Sequence, residues 1–237
     1  MINTLELSFK TFKSLTQLDF EKIGGNSNQQ LIFPLKHNNS IVEDRVSEQE
    51  LRLIFIEEFK KMYPNLFYSI ETPTKEKYSL GNSFNEIKLS NKGKAALMDM
   101  CIYKRDSSNY KKMLNIEFKY INTSIKNIGK DIFKLINEQQ NGLFIHLLNN
   151  TNKRTFCNTN KTGIFNKLFH SFSNFKEYWK NKNTFIDIII LSLNQKTLIH
   201  RNIKWEDLNS LEKIFYINQE GIIITEIKKN GWKNKSI

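Results

Sequence analysis

Cysteine, proline and glycine are all scarce in this chain, at 2, 3 and 9 of 237 residues. Cys101 and Cys157 form no Cys-x-x-Cys and offer no disulfide framework, so a small secreted scaffold is excluded and a reduced, cytoplasmic setting is expected. Collagen-like and low-complexity classes need far more Gly and Pro. Long hydrophobic runs are missing too. The longest, "FIDIIILSL" at 185–193, falls short of the ~20 residues of a membrane helix and contains an aspartate. The opening residues lack the basic and apolar regions of a signal peptide, and no membrane partner is expected. Four scattered histidines lack metal-ligand spacing, and His146, within "LFIHLL", reads as a strand-packing residue. No Gly-rich phosphate loop, Gly-x-Ser-x-Gly or His-Glu-x-x-His occurs, which argues against P-loop, α/β-hydrolase and zincin chemistry.

Acidic residues are short relative to basic ones. Lys+Arg number 36 against 24 Asp+Glu, a formal charge of +12. Such an excess favours a polyanionic partner, of which nucleic acid is the commonest. A composition crowded with Lys, Asn and Ile also puts lysines at many solvated positions without function. The chain is otherwise globular in composition, 39% hydrophobic and 25% charged, and long enough to bury a large core.

What is present is a run of mixed elements. Residues 1–45 read as an extension with loop-like stretches at 23–30 and 35–40 around a short edge element, "LIFPL". "VSEQELRLIFIEEFKKMYP" begins with Ser47 as N-cap and Glu50 three residues on, stops at Pro64, and aligns Leu51, Ile54, Phe55, Phe59 and Met62 on one helical stripe. Strands are expected at 66–73, 95–103 and 113–121, a helix at 128–140 and a strand at 142–149. Beyond these come an aromatic helix at 163–182, a buried strand at 185–193, a short helix at 205–214 and a late strand at 221–229. The aromatic helix is chiefly core-forming, its lysine rim offering a second reading as a surface for unpaired bases. The class is mixed α/β, with residues 46–149 as the core and 150–237 as a helical and strand extension packed on the same domain.

Two of the expected strands carry charges that strands rarely bury without a partner. Asp99 lies inside "AALMDMCIY", and Glu117 and Lys119 lie inside "MLNIEFKYI". Glu-x-Lys occurs four times here, so context must choose among them. Glu58 and Lys60 sit on a helix, where residues two apart do not face each other. Glu86 and Lys88 lie in a polar stretch. Glu226 and Lys228 have no nearby strand aspartate. Glu117 and Lys119 alternate along a strand and so share a face. A turn centred on Ser108 would place Asp99 opposite Glu117, with Cβ atoms ~5 Å apart. Carboxylates that close repel unless a cation lies between them, and oxygen ligation suits Mg²⁺ or Mn²⁺.

With this arrangement, residues 46–149 resemble the PD-(D/E)xK, restriction-endonuclease-like nuclease superfamily. The resemblance implies a helix, three strands, helix, strand core and a metal-dependent endonuclease, acting on DNA rather than RNA, in a restriction-like or anti-phage role. It implies Asp99 and Glu117 as metal-binding acids, the Phe118 carbonyl as a further ligand, and Lys119 beside the attacking water. Met98 departs from the usual small residue or Pro before the aspartate. Members often add a first-helix glutamate, and helical geometry puts Glu48 near the centre of the apolar stripe and Glu50 well away from it, so Glu48 is expected first and Glu50 second. Lys130, Lys134 and Gln139 on the following helix are candidate phosphate contacts. A homodimer would allow both strands to be cut. The alternative is an inactive nucleic-acid-binding module of the same fold.

Overall fold

A computed structural model describes residues 2–22, 29–38, 41–121, 123–149, 151–158, 160, 162–216 and 223–237. The first elements are helix α1 (Thr4–Leu15), strands β1 (Asp19–Phe20), β2 (Ile32–Phe33), β3 (Leu35–Asn38) and β4 (Ile41–Asp44), and helix α2 (Glu48–Met62). There follow β5 (Phe67–Ser79), β6 (Lys88–Leu89), β7 (Lys94–Asp106), β8 (Asn109–Tyr120), α3 (Ile125–Asn137) and β9 (Asn141–Leu148). The remainder comprises α4 (Lys153–Phe156), α5 (Ile164–Phe175), β10 (Phe185–Ser192), β11 (Thr197–Lys204), α6 (Leu211–Phe215), α7 (Ile223–Lys229) and β12 (Lys233–Ser236).

One eight-stranded sheet organises the chain, in the order β12-β11-β10-β9-β8-β7-β5-β6. The pairs β8–β9 and β9–β10 are parallel and the others antiparallel. Parallel neighbours require crossovers, and helices α3 and α5 fall within the two that join these strands. Both sheet faces are covered. On one face Leu7, Phe12 and Leu15 of α1 and Leu51, Phe55 and Phe59 of α2 pack on Ile116, Phe118, Ile145 and Ile189. On the other, α3, α5, α6 and α7 close over Met98, Phe144, Ile188 and Ile190, with Phe165 stacked on Trp232 at 4.5 Å between ring centroids. Burial on both faces explains why β9 and β10 read as continuous apolar runs.

Several expectations change. The first 45 residues are not a mere appendage, since α1 lies in the same core as α2, and β3 and β4 pair antiparallel. Most of the 23–30 stretch lies outside the described residues. The helix expected to reach 182 ends at Phe175. Gln139 Oε1 accepts the backbone N–H groups of Lys180 and Asn181 there and turns the chain. Its aromatic stripe is buried core. The expected late strand is instead α7 over its described part, 223–229, with Ile227 buried. The last strand is the polar "KNKS", which needs no apolar face because it joins the sheet edge through backbone bonds.

Candidate active site

The hairpin β7–β8 builds the site by a route the turn alone does not give. Asp106 pairs with Asn109, so the turn is Ser107–Ser108, with Ser107 at φ 52°, and is not centred on Ser108. That register alone would miss the alignment by one residue. Met113 restores it, because Tyr103 pairs with Lys112 and Ile102 with Leu114, leaving Met113 as a bulge. Regular pairing ends at Met100–Ile116. Beyond it Asp99 Oδ2 accepts the Phe118 N–H at 2.8 Å, so a carboxylate takes the place of a backbone carbonyl. The side-chain alternation also slips here, since Met98 packs in the α3-side core and Met100 in the α2-side core. The strands part at the aspartate.

Charged groups from five elements, α2, β5, β7, β8 and α3, gather at this opening. Arg52, one helical turn after Glu48 on α2, reaches Asp99 Oδ1 at 3.1 Å, Glu48 Oε1 at 3.5 Å and Glu71 Oε1 of β5 at 2.8 Å. Lys119 Nζ lies 2.8 Å from Asp131 Oδ2 and 4.0 Å from Glu48 Oε2. Lys134 Nζ sits 2.6 Å from Glu117 Oε1, 3.2 Å from Asp131 Oδ1 and 2.8 Å from the Leu97 carbonyl. Glu117 is fully buried, and its Oε2 has no donor.

These surroundings set the protonation states. Burial holds the Glu117 carboxyl well above the usual range, and the Asp131 and Asp99 charges push the same way against Lys134. Glu48 is raised for the same leading reason, burial, with Lys119 and Arg52 opposing and Asp99 and Asp131 assisting. Burial alone would lower Lys119, but Asp131, Glu48 and Asp99 outweigh it and raise the ammonium to about 12. Burial likewise opposes, and Asp131 and Glu117 outweigh, in Lys134, which is also raised. Both lysines are therefore cations at neutral pH. Lys119 can orient a water or stabilise negative charge, but it cannot serve as a proton acceptor there.

Asp99, Glu117, Lys119 and Glu48 thus share one site. Phe118 packs its ring on Phe55 in the α2-side core while its N–H holds Asp99. Glu50 does not join them. It accepts the Ser47 hydroxyl and lies 3.5 Å from Arg45, locking the start of α2. Lys134, expected as a phosphate contact, is buried within the cluster instead. Gln139 is spent on structure: its amide donates to the Ile136, Asn137 and Tyr178 carbonyls and its oxygen holds Lys180 and Asn181. Lys130 is half-buried, its pKa lowered by burial and by neighbouring lysines against Asp131. His146 is buried, donates its Nε2–H to the Ile121 carbonyl at 2.6 Å, and is lowered to about 4 by burial, as a packing residue.

Sequence reasoning missed Arg52 and Glu71. The i,i+4 spacing of Glu48 and Arg52 was the available signal for the first. Glu71 gave none, because its reach to Arg52 depends on a left-handed backbone, φ 48°, beside the parted strands.

Five carboxylates, Glu48, Glu71, Asp99, Glu117 and Asp131, face three cations, Arg52, Lys119 and Lys134. With all five ionised the deficit is two charges, the charge of one divalent ion, and the buried Glu117 Oε2, which has no donor among the described residues, is an atom such an ion would satisfy once it displaces the proton. The all-oxygen acidic set fits Mg²⁺ or Mn²⁺. Among the described residues no three His, Cys, Asp or Glu side chains are gathered as a ready metal cage, and each acid here leans on a basic side chain. A scan against protein-family models and searches of the curated proteins and the solved structures gave no match. Among the described residues no helix is long and apolar enough to cross a membrane.

Proposed function

We propose that this chain is a metal-dependent nuclease that hydrolyses phosphodiester bonds, in DNA rather than RNA, with a restriction-endonuclease-like core. The observation that carries the reading is the meeting of Asp99, Glu117 and Lys119 where β7 and β8 part, joined by Glu48 from the preceding helix. The order α2, β5, β7, β8, α3, β9 supports the resemblance in residues 46–149, with a 3-10 turn at Phe84–Glu86 and the two-residue β6 interposed. Asp99 and Glu117, with the Phe118 carbonyl, would hold Mg²⁺ or Mn²⁺. When bound, such an ion polarises a phosphate and lowers the pKa of water. The rest falls to the chain. Lys119, paired with Asp131 and its pKa raised by the surrounding carboxylates, orients the attacking water and stabilises charge developing on the phosphoryl oxygens. Asp131 and Lys134 keep Glu117 and Lys119 in place. Lys130 and the excess of basic residues hold the phosphate backbone.

The test is cleavage of plasmid, single-stranded DNA and RNA with Mg²⁺, Mn²⁺ or EDTA, comparing wild type with Lys119→Ala. Metal-dependent cutting that drops at least 100-fold in the variant is expected. Binding without cutting by either protein, on every substrate and metal, would replace this reading with a non-catalytic nucleic-acid-binding module.

A further inference from the structure

A cavity of about 370 Å³ opens beside the site, at the C-terminal ends of β8 and β9. In sheets with parallel strands this is where departing connections leave a crevice for ligands. Its first lining residue, Ile121, follows Lys119 by two positions, and Tyr120 between them donates its hydroxyl to Asn149 of the cavity wall at 3.2 Å. Leu148 and Ile164 provide apolar surface, while Asn149, Asn152 and Arg154 provide hydrogen-bonding groups, and among the described residues no acidic side chain lines the space.

Two features of the lining point to a ligand. Ile121 has φ 56° and is 44% exposed, although a β-branched residue is strongly disfavoured in the left-handed region. It is held there by the buried His146, which meets its carbonyl, and by its own N–H to the Leu147 carbonyl at 2.9 Å. Backbone strain so fixed concentrates at ligand sites. Arg154 presents an exposed guanidinium with no carboxylate partner among the described residues.

We infer that this cavity receives one nucleotide of the bound strand, next to the one whose phosphate lies at Lys119. An apolar wall suits a base face, asparagine amides suit a base edge, and arginine suits a phosphate. The inference rests on the nuclease reading and names where its substrate strand runs.

The experiment measures binding of fluorescein-labelled single-stranded DNA and RNA in EDTA, where nothing is cut. Full-length wild type is compared with Arg154→Ala, Thr162→Trp, which adds bulk at a lining position, and Lys92→Ala as a surface-charge control. Thermal unfolding confirms that each variant is folded. Arg154→Ala is expected to weaken binding 5- to 20-fold and to lower the salt slope by about one ion. Thr162→Trp should weaken binding similarly without changing the slope, and Lys92→Ala should stay within 2-fold. Wild-type binding unaffected by both cavity variants would overturn the cavity and leave the nuclease reading standing. A loss confined to Arg154→Ala would reduce it to a surface phosphate contact and also overturn it. If wild type binds neither nucleic acid, the cavity reading falls, while cleavage with Mg²⁺ or Mn²⁺ decides the nuclease reading separately.

Discussion

Glu117 is the residue whose burial has the clearest thermodynamic consequence. Its folded pKa lies above the unfolded one, so the folded state keeps a proton that the unfolded chain has already released. Stability from this group is present below about pH 4.5 and is lost as pH rises above that value. Glu117→Gln removes the dependence. In EDTA the variant should unfold at a higher temperature than wild type, with the gap widening from pH 5 to pH 8. A constant gap would mean that Glu117 is already ionised in the fold. Mn²⁺ should raise the midpoint of wild type, more at pH 8 than at pH 6 because protons compete for the carboxylate, and should leave the variant nearly unchanged. Asp131 gives a second residue-scale prediction. It is the shared partner of Lys119 and Lys134, so Asp131→Ala leaves buried ammonium groups undercompensated and should cost about 3 kcal/mol in denaturant unfolding. A cost under 1 kcal/mol would show that the lysines find other partners.

At the scale of elements, the β7–β8 hairpin decides whether the site exists. Its alignment depends on the bulge at Met113, because side chains alternate and a one-residue slip sends Glu117 and Lys119 to the α2 face. Deleting Met113 should therefore abolish both the folded yield and any metal response. Met113→Ala, which keeps the bulged backbone, should retain both, as read by circular dichroism and the Mn²⁺ shift. The hairpin also shows how a sequence argument can reach an alignment by the wrong path. The chain does bring Asp99 and Glu117 into one site, but a two-residue turn and a bulge achieve what a single turn centre was expected to do. Helix α2 was legible because its cap, its apolar stripe and Pro64 all lie close together in sequence. Helix α1 was not singled out, and the strand expected at 221–229 is helical over 223–229, because those short segments take their form from what they cover.

Across the whole molecule the sheet runs from residue 67 to residue 236, so the expected nuclease-like core is not an independent unit. Strand β9 needs β10 beside it, and the face of α3 needs α5. A chain ending at residue 149 would expose Phe133, Leu135 and Phe144 to water. It should be insoluble or lack a cooperative unfolding transition, whereas the full chain should unfold in one step. A soluble, cooperatively folded 1–149 fragment would contradict this.

The sequence alone determined the mixed α/β class, the strand pair carrying Asp99, Glu117 and Lys119, and the preference for Glu48 over Glu50. Each rests on local periodicity, which the residues carry in themselves. The tertiary structure decided the rest: that Arg52 and Glu71 complete the charge set, that Lys134 and Gln139 turn inward, and that a strained Ile121, two residues after Lys119, lines a cavity. Those outcomes depend on which side chains from distant segments meet in a buried place, where an unpaired charge is too costly to remain alone.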